Sequence, residues 1–171
     1  MTRAVLSIGS NIGDSRAHLA SVLTGLAPHV VAVSSAYRTA PWGGVDQQDF
    51  LNAIVVVDDP ATDCRGWLGR AQQLERDAER VRDVRWGPRT LDVDIVVCRD
   101  ADGVDVRSDD PELTLPHPRA HERAFVLVPW LEVEPDAELV VDGRAVRVDA
   151  ALALLDADER DGVRADGPVG T

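Results

Sequence analysis

The sequence predicts an α+β fold, an α/β sandwich whose mostly antiparallel sheet is flanked by helices. Strand and helix patterns mix along the chain without strict βαβ alternation, and neighbouring strands are joined by loops. Aromatic residues make up only 4% of the 171 residues, so Val, Leu, Ala and Ile must form most of the core. A chain of this length is the size of one domain. We expect a single domain over residues 1–155 and a disordered acidic tail over residues 156–171, which are mainly polar and charged.

The first half of the chain contains three predicted strands and two predicted helices. Runs of β-branched residues indicate strands, and apolar residues that recur every three or four positions indicate helices. A turn with two glycines follows the first strand, and Pro28 ends the first helix. The predicted strands are Ala4–Ile8, Val30–Tyr37 and Phe50–Val57, and the predicted helices are Arg16–Leu26 and Pro60–Arg80.

The second half begins with a basic loop that contains glycine and proline and leads into a strand. That strand is predicted over Leu91–Cys98, and a turn rich in proline precedes the next helix. A short strand and a last helix follow Pro135. The predicted elements after the turn are the helix Arg119–Leu131, the strand Glu138–Val141 and the helix Val148–Leu155.

Charge and composition exclude several classes of protein. The net charge is −12, whereas a nucleic-acid-binding surface must be basic. All 18 basic residues are arginine, so the lysine of a P-loop or of a protein kinase is missing. No run approaches the ~20 apolar residues that span a bilayer, and no signal peptide is recognisable, so we expect a cytoplasmic protein. Cys64 and Cys98 are interpreted as small apolar residues rather than as a disulfide framework.

The most specific local pattern is Asp92-Val93-Asp94 in a predicted strand. Because side chains alternate between the faces of a strand, Val93, Ile95 and Val97 should face the core, with both aspartates on the opposite face. Two adjacent carboxylates repel each other unless a cation lies between them, and Mg²⁺ is the usual choice when phosphates complete its shell. The alternative is a pair of solvated acids on an exposed face.

Arginines lie immediately upstream of this pair. A guanidinium group can bind phosphate oxygens through two hydrogen bonds, so acids for a metal beside arginines for phosphate indicate a nucleoside-triphosphate site. The alternative is an internal salt-bridge cluster with Asp77, Glu79 and Asp83. The arginines concerned are Arg80, Arg82, Arg85 and Arg89.

Several motifs resemble those of one enzyme family, the 6-hydroxymethyl-7,8-dihydropterin pyrophosphokinases of folate biosynthesis. The resemblance covers about residues 3–142 in the right order, and its most specific part is the eleven-residue run 85–95, RWGPRTLDVDI. The supporting motifs are Gly9-Ser10-Asn11, Tyr37-Arg38-Thr39-Ala40-Pro41, Phe50-Leu51-Asn52-Ala53, residues 113–118 (LTLPHP) and residues 123–127 (RAFVL).

The resemblance implies an activity and its cofactors. Enzymes of this family transfer the pyrophosphoryl group of ATP to the hydroxymethyl group of the dihydropterin and release AMP. Two Mg²⁺ ions, held at the positions of Asp92 and Asp94, would bridge the triphosphate. The fold that we expect is a ferredoxin-like α/β sandwich, and the partners are ATP and the pterin, with no nucleic acid, no membrane and a monomeric chain.

The resemblance also assigns residues. Arg80, Arg89, Asp92 and Asp94 would be catalytic. The ATP side would be formed by Gln72, Glu75, Arg82, Trp86, Ile95, Thr114, His117 and Arg123. The pterin side would be formed by Thr39, Pro41, Trp42, Phe50, Asn52 and Phe125, with the two phenylalanines on either side of the flat ring.

Four positions depart from the family's best-known pattern, and the loop between Arg80 and Trp86 is one residue short. These departures affect the expected ATP affinity and loop behaviour; they are Ala40, Phe50, Asp83 and Glu112. Two other interpretations remain: a magnesium-dependent phosphohydrolase, which would not need the aromatic pair, and a non-catalytic pterin- or nucleotide-binding protein, which would not need both aspartates.

Overall fold

A computed structural model describes residues 2–41, 47–80 and 90–170, with only the backbone of Arg80. No helix within these ranges is long and apolar enough to cross a membrane. The strands are β1 (Thr2–Ser10), β2 (Val30–Val33), β3 (Ser35–Thr39), β4 (Phe50–Asp59), β5 (Asp92–Arg99), β6 (Ser108–Asp110), β7 (Leu113–Leu115), β8 (Glu138–Val141), β9 (Arg144–Arg147) and β10 (Arg164–Pro168). The α-helices are α1 (Ser15–Leu26), α2 (Cys64–Arg80), α3 (Ala124–Val133), α4 (Val148–Ala153) and α5 (Ala157–Asp161).

The main sheet has the strand order β10-β3-β4-β1-β5, and β2 also pairs with β4. All of its described pairings are antiparallel. Two hairpins, β6–β7 and β8–β9, form separate two-stranded sheets. This arrangement confirms the predicted α+β sandwich.

Two apolar cores lie on opposite faces of the sheet. On β4, Val55 packs with α1 and α2 in the first core, whereas Ile54 packs with α3 and α4 in the second. Each core contains one fully buried tryptophan, Trp67 in the first and Trp130 in the second. Successive residues of a strand point to opposite faces, so a strand that is covered on both sides is apolar at almost every position.

An irregularity in β5 changes one part of the sequence prediction. Val93 and Ile95 face the first core as expected, but Val97 belongs to the second. The register along β1 shifts between Val5, which pairs with Val97, and Leu6, which pairs with Ile95. One extra residue in β5 reverses the alternation after Ile95, as a β-bulge does.

Two predicted elements are divided in the structure. The single strand predicted over Val30–Tyr37 is interrupted at Ser34, whose side-chain oxygen accepts a hydrogen bond from the Ile54 backbone N–H at 2.9 Å. The helix predicted from Arg119 is a 3-10 helix over Ala120–Glu122, followed by α3. Between the two helices, Arg123 is extended, and it forms the N-terminal boundary of α3.

The C-terminal segment differs from the predicted disordered tail. Residues 157–161 form α5, and β10 pairs with β3 at the edge of the main sheet. The Asp166 carboxylate binds Arg16 at 3.1 Å and Arg38 at 2.6 Å, and Val169 is buried. The polar composition hid these contacts because the sheet edge and the two arginines are distant in sequence.

The two cysteines form a disulfide, so their interpretation as unbonded apolar residues was wrong. Cys64 begins α2 and Cys98 lies near the end of β5, with their Cα atoms 6.0 Å apart. Cys98 is fully buried. The bond closes a loop with a sequence separation of 34, and this loop contains α2 and all of β5 except Arg99.

Replacing both cysteines by alanine should therefore destabilise the protein. A cross-link of this length restricts the unfolded chain, and we expect the free energy of unfolding to fall by about 3–4 kcal/mol. Urea unfolding of the wild type with and without dithiothreitol, beside the double variant, measures the effect. Reduced wild type should resemble the variant; a wild type that is insensitive to reduction would contradict the proposed contribution.

Candidate active site

Three adjacent strands place polar positions side by side on the face that carries α3. Asn52 of β4 pairs with Gly9 of β1, and Gly9 pairs with Asp92 of β5. Directly paired residues point to the same face of a sheet. On the outer side of Asn52, Tyr37 of β3 extends the row. The row therefore runs across four strands, beyond the apolar part of the second core.

Further pairs flank this row on both of its sides. Asp94 pairs with Ser7 on the side towards Ile54, and Phe50 pairs with Thr39 on the opposite side of Asn52. Asp94 and Phe50 are two residues from Asp92 and Asn52 along their strands, so all four share one face. The side chain of Asp94 is 47% exposed, whereas Asn52 is only 4% exposed. The site thus has a buried amide end and an open carboxylate end.

The start of α3 connects these two ends. The guanidinium carbon of Arg123 lies 5.6 Å from the centre of the Phe125 ring, a cation–π distance. The same guanidinium lies 4.0 Å from the Asp94 carboxylate. Arg123 therefore links the half-buried aromatic ring to the carboxylate pair on β5.

The other end of α3 is fixed to β3 by Glu132. Its carboxylate accepts hydrogen bonds from the Tyr37 hydroxyl at 2.7 Å and from the Ser35 hydroxyl at 2.8 Å. Burial and then the bond to Glu132 raise the pKa of Tyr37 to about 12. Burial alone would raise the pKa of Glu132, but hydrogen bonds from Tyr37 and Ser35 outweigh it and lower that pKa.

A cavity of about 220 Å³ opens beside β5 and β7. Its lining includes Asp94, Ile95, Thr114 and His117, together with Leu68. The four residues named before Leu68 were assigned to the ATP side or the metal from the sequence, and the structure brings them together at this cavity.

His117 is held on the edge of β5. Its backbone N–H donates to the Val96 carbonyl at 2.8 Å, which extends the pairing of β5 on its open side. Burial lowers the pKa of the His117 imidazole. Asp94 opposes that change, while Arg123 and Arg119 add to it. The lower pKa favours the neutral imidazole, in which one nitrogen donates and the other accepts.

On α2, Glu75 contacts β5 directly. Its carboxylate accepts a hydrogen bond from the Val93 backbone N–H at 2.9 Å, between the two aspartates in sequence. Gln72 is exposed and lies one turn earlier on the same helix. Glu75 thus fixes the strand that carries Asp92 and Asp94. The sequence analysis assigned Glu75 to the nucleotide and did not predict this contact with the strand.

Some predicted site residues lie outside the described part of the chain. These are Trp42, Arg82, Trp86 and Arg89, together with the side chain of Arg80. Pro41 is described and half-buried, two residues after Thr39. Across residues 2–41, 47–79 and 90–170 there is no cluster of three His, Cys, Asp or Glu side chains suited to a metal. Asp92 and Asp94 fit an ion that takes its remaining ligands from phosphates and water.

Sequence reasoning missed the roles of Gly9 and Glu132. Gly9 is part of a motif that carried the resemblance, but only the strand register shows that it lies between Asn52 and Asp92. Glu132 had a signal in the sequence, because it is the one charged residue of the otherwise apolar helix Ala124–Val133.

The fold and this face define a class of protein, an antiparallel α+β sandwich suited to hold a flat molecule beside a charged group. A model of the 7,8-dihydro-6-hydroxymethylpterin-pyrophosphokinase family matches residues 5–135, well over half of the chain. The chain therefore belongs to this family.

Relatives in several bacteria agree with this family. The chain is 59% identical over 169 residues to the 2-amino-4-hydroxy-6-hydroxymethyldihydropteridine pyrophosphokinase of Mycobacterium leprae, which covers 96% of this chain and 88% of the relative. It is 39% identical over 134 residues to the Bacillus subtilis protein of the same name, covering 76% of this chain and 77% of the relative.

A solved structure with the same fold is Plasmodium falciparum HPPK-DHPS, crystallised with pterin and p-hydroxybenzoate. The TM-score is 0.62 at 14% identity, and the match covers 89% of this chain. It covers only 42% of the Plasmodium chain, so the present chain spans less than half of that longer protein. At this identity the likeness shows the fold alone.

The contact between Glu132 and β3 can be tested by replacing Glu132 with glutamine. The neutral side chain accepts weaker hydrogen bonds, so we expect a loss of about 1 kcal/mol in the free energy of unfolding at pH 7. Because the pKa of Glu132 is lowered by folding, its contribution exists above its unfolded pKa and disappears as the pH falls through the folded pKa. Urea unfolding at pH 7 and pH 3 should show the difference from wild type shrinking at pH 3; an equal difference at both values would contradict this origin.

Proposed function

We propose that the chain transfers the pyrophosphoryl group of ATP to the hydroxymethyl group of 6-hydroxymethyl-7,8-dihydropterin, with AMP as the second product. Membership of the pyrophosphokinase family supports the reaction. The single observation that carries it is the row of Asn52, Gly9 and Asp92 on adjacent strands. A heterocycle held at Asn52 lies beside a charged group held at Asp92.

The pterin half is proposed to lie between Phe50 and Phe125. Both rings are half-buried, one at the start of β4 and the other in the first turn of α3. Stacking of flat rings adds to the burial of apolar area. Asn52 supplies polar contacts to the edge of the heterocycle. Thr39, Pro41 and Trp42 form the rest of the pterin side, and the assignment of Trp42 rests on the sequence motif alone.

The nucleotide half is proposed to lie against β5 and the adjacent cavity. Ile95, Thr114 and His117 line it, and Arg123 brings a positive charge next to Asp94. Gln72 and Glu75 border it from α2. Four further assignments rest on the sequence motif: Arg80, Arg82, Trp86 and Arg89.

The proposed cofactor is Mg²⁺, with two ions held by Asp92 and Asp94. Carboxylates on a rigid strand are hard oxygen ligands, and Mg²⁺ binds few of them while keeping water and phosphate oxygens. When bound, it would neutralise charge on the triphosphate. The −12 net charge of the chain makes such neutralisation necessary for a polyanionic substrate.

The proposed chemistry is an in-line displacement. The pterin hydroxyl oxygen forms a bond to the β-phosphorus and loses its proton to water, as the bond from that phosphorus to the bridging oxygen of the α-phosphate breaks and AMP leaves with that oxygen. The protein contributes mainly by positioning and by charge stabilisation. One chain supplies both halves of the site, which supports a monomer. The use of ATP as a co-substrate supports the proposed cytoplasmic location.

Replacing Asp94 by asparagine should reduce AMP formation at least about 100-fold, because an anionic ligand at the phosphate end is lost while the shape is kept. The measurement is AMP release from ATP and Mg²⁺, with and without the dihydropterin. Asp136→Asn is the matched control, since the Asp136 side chain is 93% exposed and distant from the site.

The products distinguish this proposal from its alternatives. AMP that forms only with the pterin, and is lost in Asp94→Asn but not in Asp136→Asn, supports pyrophosphoryl transfer. ADP, phosphate or pterin-independent AMP would instead indicate a hydrolase. Pterin binding without any turnover would indicate a binding protein and would overturn the proposed activity.

A further inference from the structure

The side-chain amide of Asn52 lies between two residues of the neighbouring strands, Thr39 and Gly9. Its Nδ2 donates a hydrogen bond to the Thr39 hydroxyl at 3.0 Å. Thr39 lies on β3, one step diagonally from Asn52, because it pairs with Phe50. The nitrogen of the amide is therefore directed towards β3.

The oxygen of the same amide lies above Gly9 on the opposite neighbouring strand. A Cβ atom built on Gly9 would be 2.9 Å from Asn52 Oδ1, closer than real Cβ contacts. The other atoms near that position are 3.9 Å away, which is ordinary contact. The missing side chain of Gly9 thus provides the space for Oδ1, and the amide spans from β3 to β1.

We propose that Thr39 and Gly9 are positioning residues that set how Asn52 recognises its ligand. An amide can present either its oxygen or its nitrogen, and the two choices suit opposite hydrogen-bonding edges. The bond to Thr39 uses one N–H and directs Oδ1 towards β1 and Asp92. Oδ1 then accepts a hydrogen bond from a ring N–H of the heterocycle. This inference rests on the proposed function, because it specifies how the same site selects its pterin.

The burial of Asn52 makes this orientation matter. At 4% exposure the amide has little water to replace a lost partner. A buried polar group left without its hydrogen bond costs more than the bond itself contributes. A reversed amide would place its N–H against the ligand's own N–H. The orientation of the Asn52 amide, set before the ligand binds, thus selects which edge of the heterocycle the site accepts.

The first test is a double-mutant cycle between Thr39 and Asn52. Thr39→Val keeps the shape but removes the hydroxyl, and we expect dihydropterin binding to weaken about tenfold. Thr39→Ser retains the hydroxyl and should restore binding. In an Asn52→Ala background, Thr39→Val should change pterin binding less than about twofold, because the group that it orients is gone.

The second test uses Gly9→Ala. Its methyl group displaces Asn52 Oδ1, so we expect weaker pterin binding in the wild-type background and little further effect in Asn52→Ala. Affinities are measured by calorimetry with 6-hydroxymethyl-7,8-dihydropterin in the presence of a non-hydrolysable ATP analogue, and with that analogue alone. Thr24→Val on α1, where the hydroxyl contacts the Ala20 carbonyl at the exposed surface, is the matched control.

The outcomes separate this inference from the proposed function. Thr39 and Gly9 effects that are confined to the pterin and vanish in Asn52→Ala support the positioning role. Effects that add fully in Asn52→Ala, or that weaken the ATP analogue equally, would overturn it. A wild type that makes no AMP from ATP and pterin would refute the proposed function, whatever the cycle shows.

Discussion

The antiparallel register of β4, β1 and β5 is the constraint on which the rest of the candidate site depends. Asn52, Gly9 and Asp92 are far apart in sequence, yet backbone hydrogen bonds place them in one row. A slip of one residue would turn each of them to the opposite face. The apolar residues of β4 oppose such a slip, because Ile54 and Val55 pack in different cores and would have to exchange them.

The supporting contacts fix the elements on either side of this row. Glu132 ties α3 to β3, Glu75 ties α2 to β5, and the Cys64–Cys98 bond joins the outer ends of α2 and β5. None of these three contacts is made by Asn52, Gly9 or Asp92. Such contacts matter for a transfer reaction because catalysis by positioning requires binding residues that already have the right geometry when both substrates bind.

Much of the fold followed from local patterns in the sequence. The alternation at Asp92-Val93-Asp94 predicted their faces, and the apolar run from Phe50 predicted the central strand. The break at Ser34 did not follow, because residues typical of strands, such as Val33 and Tyr37, lie on both sides of it. Likewise, nothing local could show that Cys64 meets Cys98, or that the polar C-terminal segment finds a strand edge and two arginines.

The site itself was predicted mainly through family motifs, and the structure adds what motifs cannot contain. A motif names Thr39, Asn52 and Gly9 but gives no hydrogen bond between the first two and no clearance above the third. Those features arise only when three strands lie side by side. Glu132 was missed for a related reason, since its partners lie about a hundred residues earlier on β3.

The most direct test of this account is a crystal structure of the protein with Mg²⁺, a non-hydrolysable ATP analogue and 6-hydroxymethyl-7,8-dihydropterin. We expect the pterin ring between Phe50 and Phe125, a ring N–H on Asn52 Oδ1, and the triphosphate next to Asp92 and Asp94. The pterin hydroxyl should then point at the β-phosphorus. A pterin bound away from Asn52, or a triphosphate away from the two aspartates, would contradict the account.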